Sequence, residues 1–405
     1  MQLRDALPPV QARAASLLSS WGCAGEALVR AYVRVADEPE RTGFAQDLQA
    51  HLLRVEPTLS PSGHPERLQV GTRSPIEVGA RVGSGTYGTV YSALQSQQRG
   101  VWKRMVAPSE GALGDRFAFE VASELLAHAV VSTDPELGHS VPALWGAGWY
   151  TTPTGQVEFL CLMEDLGAVT LLSELQAVAA RDGRVPWASL RQPLLDVASL
   201  LQPLLGRYSF NHRDLTLANV MRRPGTGALC LIDMGFACLL MDGVVVRGGN
   251  YYAPRSTCGS VFQDMALLLL NVREYARPDR RARAILGALL RTSSGEDLGV
   301  VASAHWHSSH SSRSSTADQP PTIHMSYNTR SDMFAPLGPV LVPGANVGAY
   351  PQVLWDAEKR VEVTPPGRKR TPKRKRTPAT PPVEGGGRAR SSGRSRRRPT
   401  TRGRR

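Results

Sequence analysis

Apolar residues recur at three- and four-residue spacing from Ala14 to Val35 and again from Phe117 to Leu126, which predicts helices in both stretches. Between them the pattern shortens. Ile76 and Val78 precede a glycine-rich stretch and Val90 and Tyr91 follow it, predicting two strands joined by a loop. Gly100 to Met105 is a short apolar run holding Lys103, and Val157 to Met163 reads as a buried strand entering a polar connector. Pro193 to Leu205 and Phe262 to Leu270 are apolar enough for buried helices, and residues 276–300 predict a further, basic helix. Pro57 to Pro65 reads as a linker, and Ser303 to Pro321, rich in Ser and His, as a flexible loop. Residues 322–360 hold enough apolar residues to be ordered.

The glycine-rich stretch runs Val82-Gly-Ser-Gly-Thr-Tyr-Gly-Thr-Val90, matching G-x-G-x-x-G-x-V at Gly83, Gly85, Gly88 and Val90. Such a loop brings backbone N–H groups close to phosphate oxygens, an approach that larger side chains would block. A dinucleotide-binding turn would be followed by a helix. Here Thr89-Val-Tyr-Ser92 favours a strand, so the loop reads as a hairpin. Lys103 follows twenty residues after Gly83, and strand alternation puts its neighbour Arg104 on the opposite face. On the next predicted helix Glu120 and Glu124 lie four residues apart, near one face, so either is placed to meet Lys103.

Asn211-His-Arg-Asp-Leu-Thr-Leu-Ala-Asn219 sets Asp214 five residues before Asn219, behind a His-Arg pair, and Asp233-Met-Gly235 comes fourteen residues later. In this order, residues 76–275 resemble a eukaryotic-type protein kinase domain, over roughly half the chain. The resemblance implies an α+β, two-lobed protein-kinase-like fold with a β-rich N-lobe and a helical C-lobe. It implies an N-terminal extension at 1–75 that is partly helical. The kinase domain would occupy 76–360, with the N-lobe at 76–163, the hinge at 164–167 and the C-lobe at 168–360.

The same resemblance implies ATP and Mg²⁺ as cofactors and gives each residue a role. Asp214 would accept the acceptor hydroxyl's proton. Lys103 would hold the α- and β-phosphates, tied to a helix carboxylate, Glu120 by the commoner form of that helix. Asn219 and Asp233 would hold the metal. Met163 would guard the adenine pocket, with Glu164 to Leu166 as the adenine-binding connector. Asp264 would anchor the catalytic loop's backbone; its other reading is a helix-start charge favoured by the macrodipole.

Departures from the pattern narrow the resemblance. Met234 replaces Phe, Tyr251-Tyr-Ala-Pro-Arg255 ends in Arg where a Glu is expected, and Thr216 stands where Ser/Thr kinases carry Lys. This divergence is similar to the conserved herpesviral serine/threonine protein kinases, which implies nuclear protein substrates of host and virus. A missing Lys weakens charge stabilisation in the transition state, with Arg213 or a neighbour as a compensating cation, or acceptor preference not strictly Ser/Thr.

Charge is unevenly placed along the 405 residues, whose formal net charge is +13. From Pro365 to Arg405 there are 16 Lys and Arg against one acid, Glu384, so the remainder is close to neutral. That tail, within 361–405, is expected to be disordered. Its Gly367-Arg-Lys-Arg-Thr-Pro-Lys-Arg-Lys-Arg376 run implies a nuclear-import receptor as partner, or weak nucleic-acid contact. Localisation is then expected in the nucleus (the host nucleus for a viral protein), besides cytoplasm or virion. Thr364, Thr371, Thr377 and Thr380 each precede Pro, and phosphates there would reduce the positive charge.

No apolar run is long enough to predict a membrane span. The five cysteines, Cys23, Cys161, Cys230, Cys238 and Cys258, include no C-x-x-C pair and are expected to be reduced thiols without zinc. His305, His307 and His310 lack companion Cys or carboxylates and read as a polar loop. Three other functional classes stand beside an active protein kinase: a pseudokinase scaffold, a small-molecule kinase of related fold, and a basic nucleic-acid-binding protein resting on the tail alone.

Overall fold

The computed structural model describes residues 6–36, 43–60, 64–70, 73–85, 88–106, 114–248, 258, 263–290 and 359. The expectations for the Tyr251–Arg255 segment, the His-rich loop, residues 322–358 and the basic tail lie outside these residues.

Three helices open the chain: α1 (Pro9–Ser20), α2 (Gly25–Val35) and α3 (Phe44–His51). The single helical stretch expected over Ala14 to Val35 is therefore two helices. They break at Gly22, whose φ of +93° suits glycine and ends α1.

One eight-stranded sheet follows, built from β1 (Leu53–Arg54), β2 (Glu56–Leu59), β3 (Pro65–Gln69), β4 (Ile76–Gly85), β5 (Gly88–Gln95), β6 (Gln98–Val106), β7 (Leu144–Thr151) and β8 (Val157–Glu164). The strand order is β1-β7-β8-β6-β5-β4-β3-β2, with only β1–β7 parallel. β1 and β2 stand at opposite ends of this order, yet Val55 alone separates them in sequence. The sheet therefore rolls back on itself. Val55, Leu68, Val70, Ile76, Ala93, Trp102, Tyr150, Leu160 and Leu162 form a core cluster of their own, separate from the main core.

One expectation gains detail here and another is corrected. Residues 1–75, expected as a partly helical extension, hold α1, α2 and α3 and also supply β1, β2 and β3 of the sheet. The linker expected over Pro57 to Pro65 holds strand residues at both ends: Pro57 lies in the terminal strand β2, and Pro65 opens β3. A proline lacks an N–H to donate, which excludes it from central strands but not from an edge or a first position.

Between β6 and β7 runs α4 (Asp115–Ser132), buried along most of its length. Its apolar residues pack against α1, α2 and α3 and the outer face of the sheet in the main core. Beyond the sheet come α5 (Leu171–Asp182), α6 (Trp187–Tyr208), a hairpin of β9 (Val220–Arg222) and β10 (Leu229–Leu231), a second hairpin of β11 (Cys238–Met241) and β12 (Val244–Arg247), then α7 (Gln263–Ala276) and α8 (Arg280–Leu289). Thr170 and Ser173 cap α5 reciprocally, and Asp279 caps α8 through Ala282 N–H at 2.7 Å. Among the described residues no helix is long and apolar enough to cross a membrane.

A disulfide joins Cys238 to Cys258, with Cα atoms 5.4 Å apart, which corrects the expectation of five thiols. Separation by 20 residues hides the pair in the sequence, and the fold brings it together. Cys23, Cys161 and Cys230 are buried thiols.

Candidate active site

The glycine stretch forms the expected hairpin. β4 and β5 pair in antiparallel register, Gly83 with Val90, Ser84 with Thr89 and Gly85 with Gly88. Its glycines have different grounds. A Cβ on Gly88 would come within 2.5 Å of the Arg104 carbonyl oxygen, so sheet packing itself demands glycine there. A Cβ on Gly83 would meet only the Val90 Cβ, at 3.9 Å. Glycine at 83 is thus not required by packing, and close approach of a ligand remains as a reason for it.

β5 in turn pairs with β6, setting Val90 opposite Lys103. Lys103 and Arg104 leave β6 on opposite faces, as alternation requires. Arg104 turns to Glu158, which is fully buried and also accepts from the Tyr150 hydroxyl. Lys103 Nζ donates to Glu124 Oε1 at 2.5 Å and to Asp233 Oδ1 at 2.8 Å. Burial opposes the ammonium's charge, but the two carboxylates outweigh it and raise the Lys103 pKa. Asp233 is held below its usual range, chiefly by Lys103. Burial pushes Glu124 upward against the pull of Lys103.

Glu124, not Glu120, is therefore the helix partner of Lys103. Glu120 lies one turn earlier on α4, 3.8 Å from Arg116, with burial raising its pKa. The two carboxylates share a helix face, so spacing alone leaves them equivalent. The position of α4 along β6 decides between them.

Asp214 and Asn219 lie on the loop that follows α6. Asn219 Nδ2 donates to the Asp214 carbonyl at 2.8 Å and to its Oδ2 at 3.1 Å. The Asn219 carbonyl accepts from Ile232 N–H at 3.0 Å, which sets Asp233 beside it in the chain. Asp264, near the start of α7, accepts from His212 N–H at 2.7 Å and Arg213 N–H at 2.8 Å. Both of its readings hold: it is a helix-start carboxylate and it ties down the loop's backbone. Arg213 has φ +65° and Asp233 has φ +62°, a region costly for residues with a Cβ. The Asp264 bonds hold the first of these in place.

Two contacts of this loop were not read from the sequence. Asn271 Oδ1 accepts from Leu217 N–H at 3.0 Å. It lies seven residues after Asp264, on the same face of α7, so a polar residue repeating at helical spacing in an apolar run was the available signal. The His212 Nε2 lies 2.8 Å from the Ile232 carbonyl, linking the loop to the strand before Asp233.

At the connector, Met163 is half-buried in β8, opposite Val101 of β6. The Glu164 carboxylate accepts from Ala143 N–H at 3.0 Å and pairs with Arg223. Leu166 is buried against Met221 and Cys230. Thr216 precedes a short 3-10 turn, and its carbonyl accepts from Asn219 N–H at 3.1 Å.

Among the described residues no cluster of three or more His, Cys, Asp or Glu is placed to hold a metal. Asp233 and Asn219 nonetheless fit a hard cation. The Asp233 side chain is 43% exposed, and the Asn219 amide nitrogen is spent on Asp214, leaving its oxygen as the ligand atom. Two such oxygens suit Mg²⁺ bound jointly with substrate phosphates rather than in an all-protein cage.

No protein-family model matches the chain, and no curated protein matches it. Among solved structures it is similar to the kinase PK-1 of Cydia pomonella granulovirus, with a TM-score of 0.29 and 15% identity over 40% of this chain and 55% of that one. It is also similar to the BubR1 kinase domain, with a TM-score of 0.35 and 16% identity over 50% and 62% of the two chains. The chain thus spans less than two thirds of the length of either.

Proposed function

We propose that this chain is a protein kinase transferring the γ-phosphoryl group of ATP, with Mg²⁺, to a serine or threonine hydroxyl of protein substrates. The observation that carries the reading is the Lys103 ammonium held between Glu124 and Asp233, with Ile232, just before Asp233, bonded to Asn219 of the loop that pairs Asp214 with Asn219. Phosphoryl transfer asks mainly for positioning and charge stabilisation, and these residues supply both.

In this reading the hairpin of β4 and β5 covers the phosphates with its backbone. Lys103 meets the α- and β-phosphates, and Glu124 fixes its position. Asp214 orients the acceptor hydroxyl and takes its proton. Asn219 and Asp233 offer oxygen ligands to the metal, which would neutralise charge on the phosphates when bound. Met163 and the Glu164–Leu166 connector line the nucleoside end.

The finer reading, a viral kinase resembling the herpesviral group and acting on nuclear proteins of host and virus, draws support from the departures at Met234, Thr216 and Arg255 and from the basic tail. The tail would engage a nuclear-import receptor and, weakly, nucleic acid. Incubating the full chain with labelled ATP, Mg²⁺ and a peptide array tests the reading. Phosphorylated Ser or Thr is expected, abolished by Lys103→Met and by Asp214→Asn in folded protein. Unchanged transfer in both variants overturns it.

A further inference from the structure

α1, α2 and α3 do more than cover apolar surface. They bond to both elements that deliver carboxylates to Lys103. On one side, Asp115 at the start of α4 accepts from Ala45 N–H at 2.7 Å and Gly43 N–H at 3.0 Å, at the start of α3. On the other side, Gln11 of α1 donates its backbone N–H to Asp242 Oδ2 at 2.9 Å, in the turn between β11 and β12. β11 begins five residues after Asp233.

Tyr32 of α2 joins the two sides directly. Its hydroxyl lies 2.9 Å from Ser123 Oγ and accepts from Arg247 N–H at 3.3 Å. Ser123 precedes Glu124 on α4, and Arg247 ends β12. The ring is fully buried, stacked on Phe119 of α4 at 4.8 Å with 15° between planes. A hydroxyl so enclosed has no water to turn to, so losing it leaves two buried polar groups unmatched.

We propose that Tyr32 is a positioning residue whose hydroxyl, shared between Ser123 and Arg247, couples α4 to the hairpin after Asp233, so that Glu124 and Asp233 reach Lys103 together. The N-terminal helices thereby act as a built-in clamp on the ion-paired arrangement. This rests on the phosphotransfer reading for its consequence in turnover, but the coupling itself is a property of the nucleotide-free chain.

The test compares the full chain with Tyr32→Phe, which keeps the ring and its stacking, and with Ser123→Ala, which cuts the same bond from α4. Tyr150→Phe is the control, removing a buried hydroxyl that bonds Glu158 instead. The first readout is the rate at which an N-hydroxysuccinimide ester acylates Lys103 without nucleotide, followed by peptide mass spectrometry. A rise of about fivefold, the factor carried by one net hydrogen bond, is expected in Tyr32→Phe and Ser123→Ala and not in Tyr150→Phe. The second is the division between kcat and the KM for ATP. A fall in kcat with little change in KM is expected for Tyr32→Phe. Unchanged Lys103 reactivity in Tyr32→Phe, or an equal rise in Tyr150→Phe, overturns the coupling. Absence of phosphotransfer in the unaltered chain removes the kinase reading, while Lys103 reactivity still decides the coupling.

Discussion

Lys103 meets Glu124 at 2.5 Å, while Glu120, one turn earlier on the same helix, faces Arg116. The two glutamates should therefore separate cleanly on substitution. Glu124→Gln is expected to lower kcat/KM for ATP by about 100-fold, the scale of a misplaced positioning group. Glu120→Gln should stay within about twofold, because it touches neither Lys103 nor Asp233. Steady-state phosphotransfer on both variants checks the assignment, and a larger loss from Glu120→Gln would reverse it.

Two hairpin glycines should separate in a different way. Gly88→Ala drives a methyl group into the Arg104 carbonyl, 2.5 Å away, and should destabilise the fold by about 1–3 kcal/mol. Gly83→Ala meets only an ordinary contact and should melt like the parent. Its defect should appear as a smaller thermal shift on adding Mg-ATP.

His128, buried on α4, lies 2.6 Å from the Pro142 carbonyl through Nε2, so the neutral ring donates there. Burial lowers its pKa to about 4, below the ordinary value of 6.5. The unfolded chain thus takes up the proton first as pH falls. The stabilisation is complete above pH 6.5 and is lost on descent towards pH 4, amounting to about 3 kcal/mol over that window. Urea unfolding across the window should show a shallower pH dependence for His128→Gln, and parallel curves would disprove the contribution.

The Cys238–Cys258 disulfide closes a loop of 20 residues. Constraint of the unfolded chain by a loop of that size is worth about 3 kcal/mol. Dithiothreitol should lower the melting temperature of the parent chain. Cys258→Ser should start at the lower value and show no further response.

Much of the candidate site was legible because its residues sit in short contiguous stretches. Val82 to Val90 and Asn211 to Asn219 each fix local geometry and residue type together, and the β-compatible residues after Gly88 correctly implied a hairpin. What could not be read depends on the relative placement of distant segments. Glu120 and Glu124 are equivalent until α4 is docked against β6. Pro57 and Pro65 look like breakers until their strands are known to lie at an end of the sheet and at a strand's first residue. Tyr32 is one apolar position in an amphipathic helix until its hydroxyl is found between Ser123 and Arg247. The pairing of Cys238 with Cys258 likewise exists only in three dimensions.

Closure of the sheet by Leu53 to Leu59 also dictates an order of events during synthesis. Leu53 and Arg54 have their strand partners at Gly148 and Trp149, close to a hundred residues downstream. Chains emerge from the ribosome N-terminus first, so β1 must wait for β7, and such long-range pairing forms slowly. In the interval Val55 and its neighbours in the core cluster have no completed sheet to pack in. Shortening the sequence to residue 76 onwards would remove the wait, and would remove β1, β2 and β3 with it.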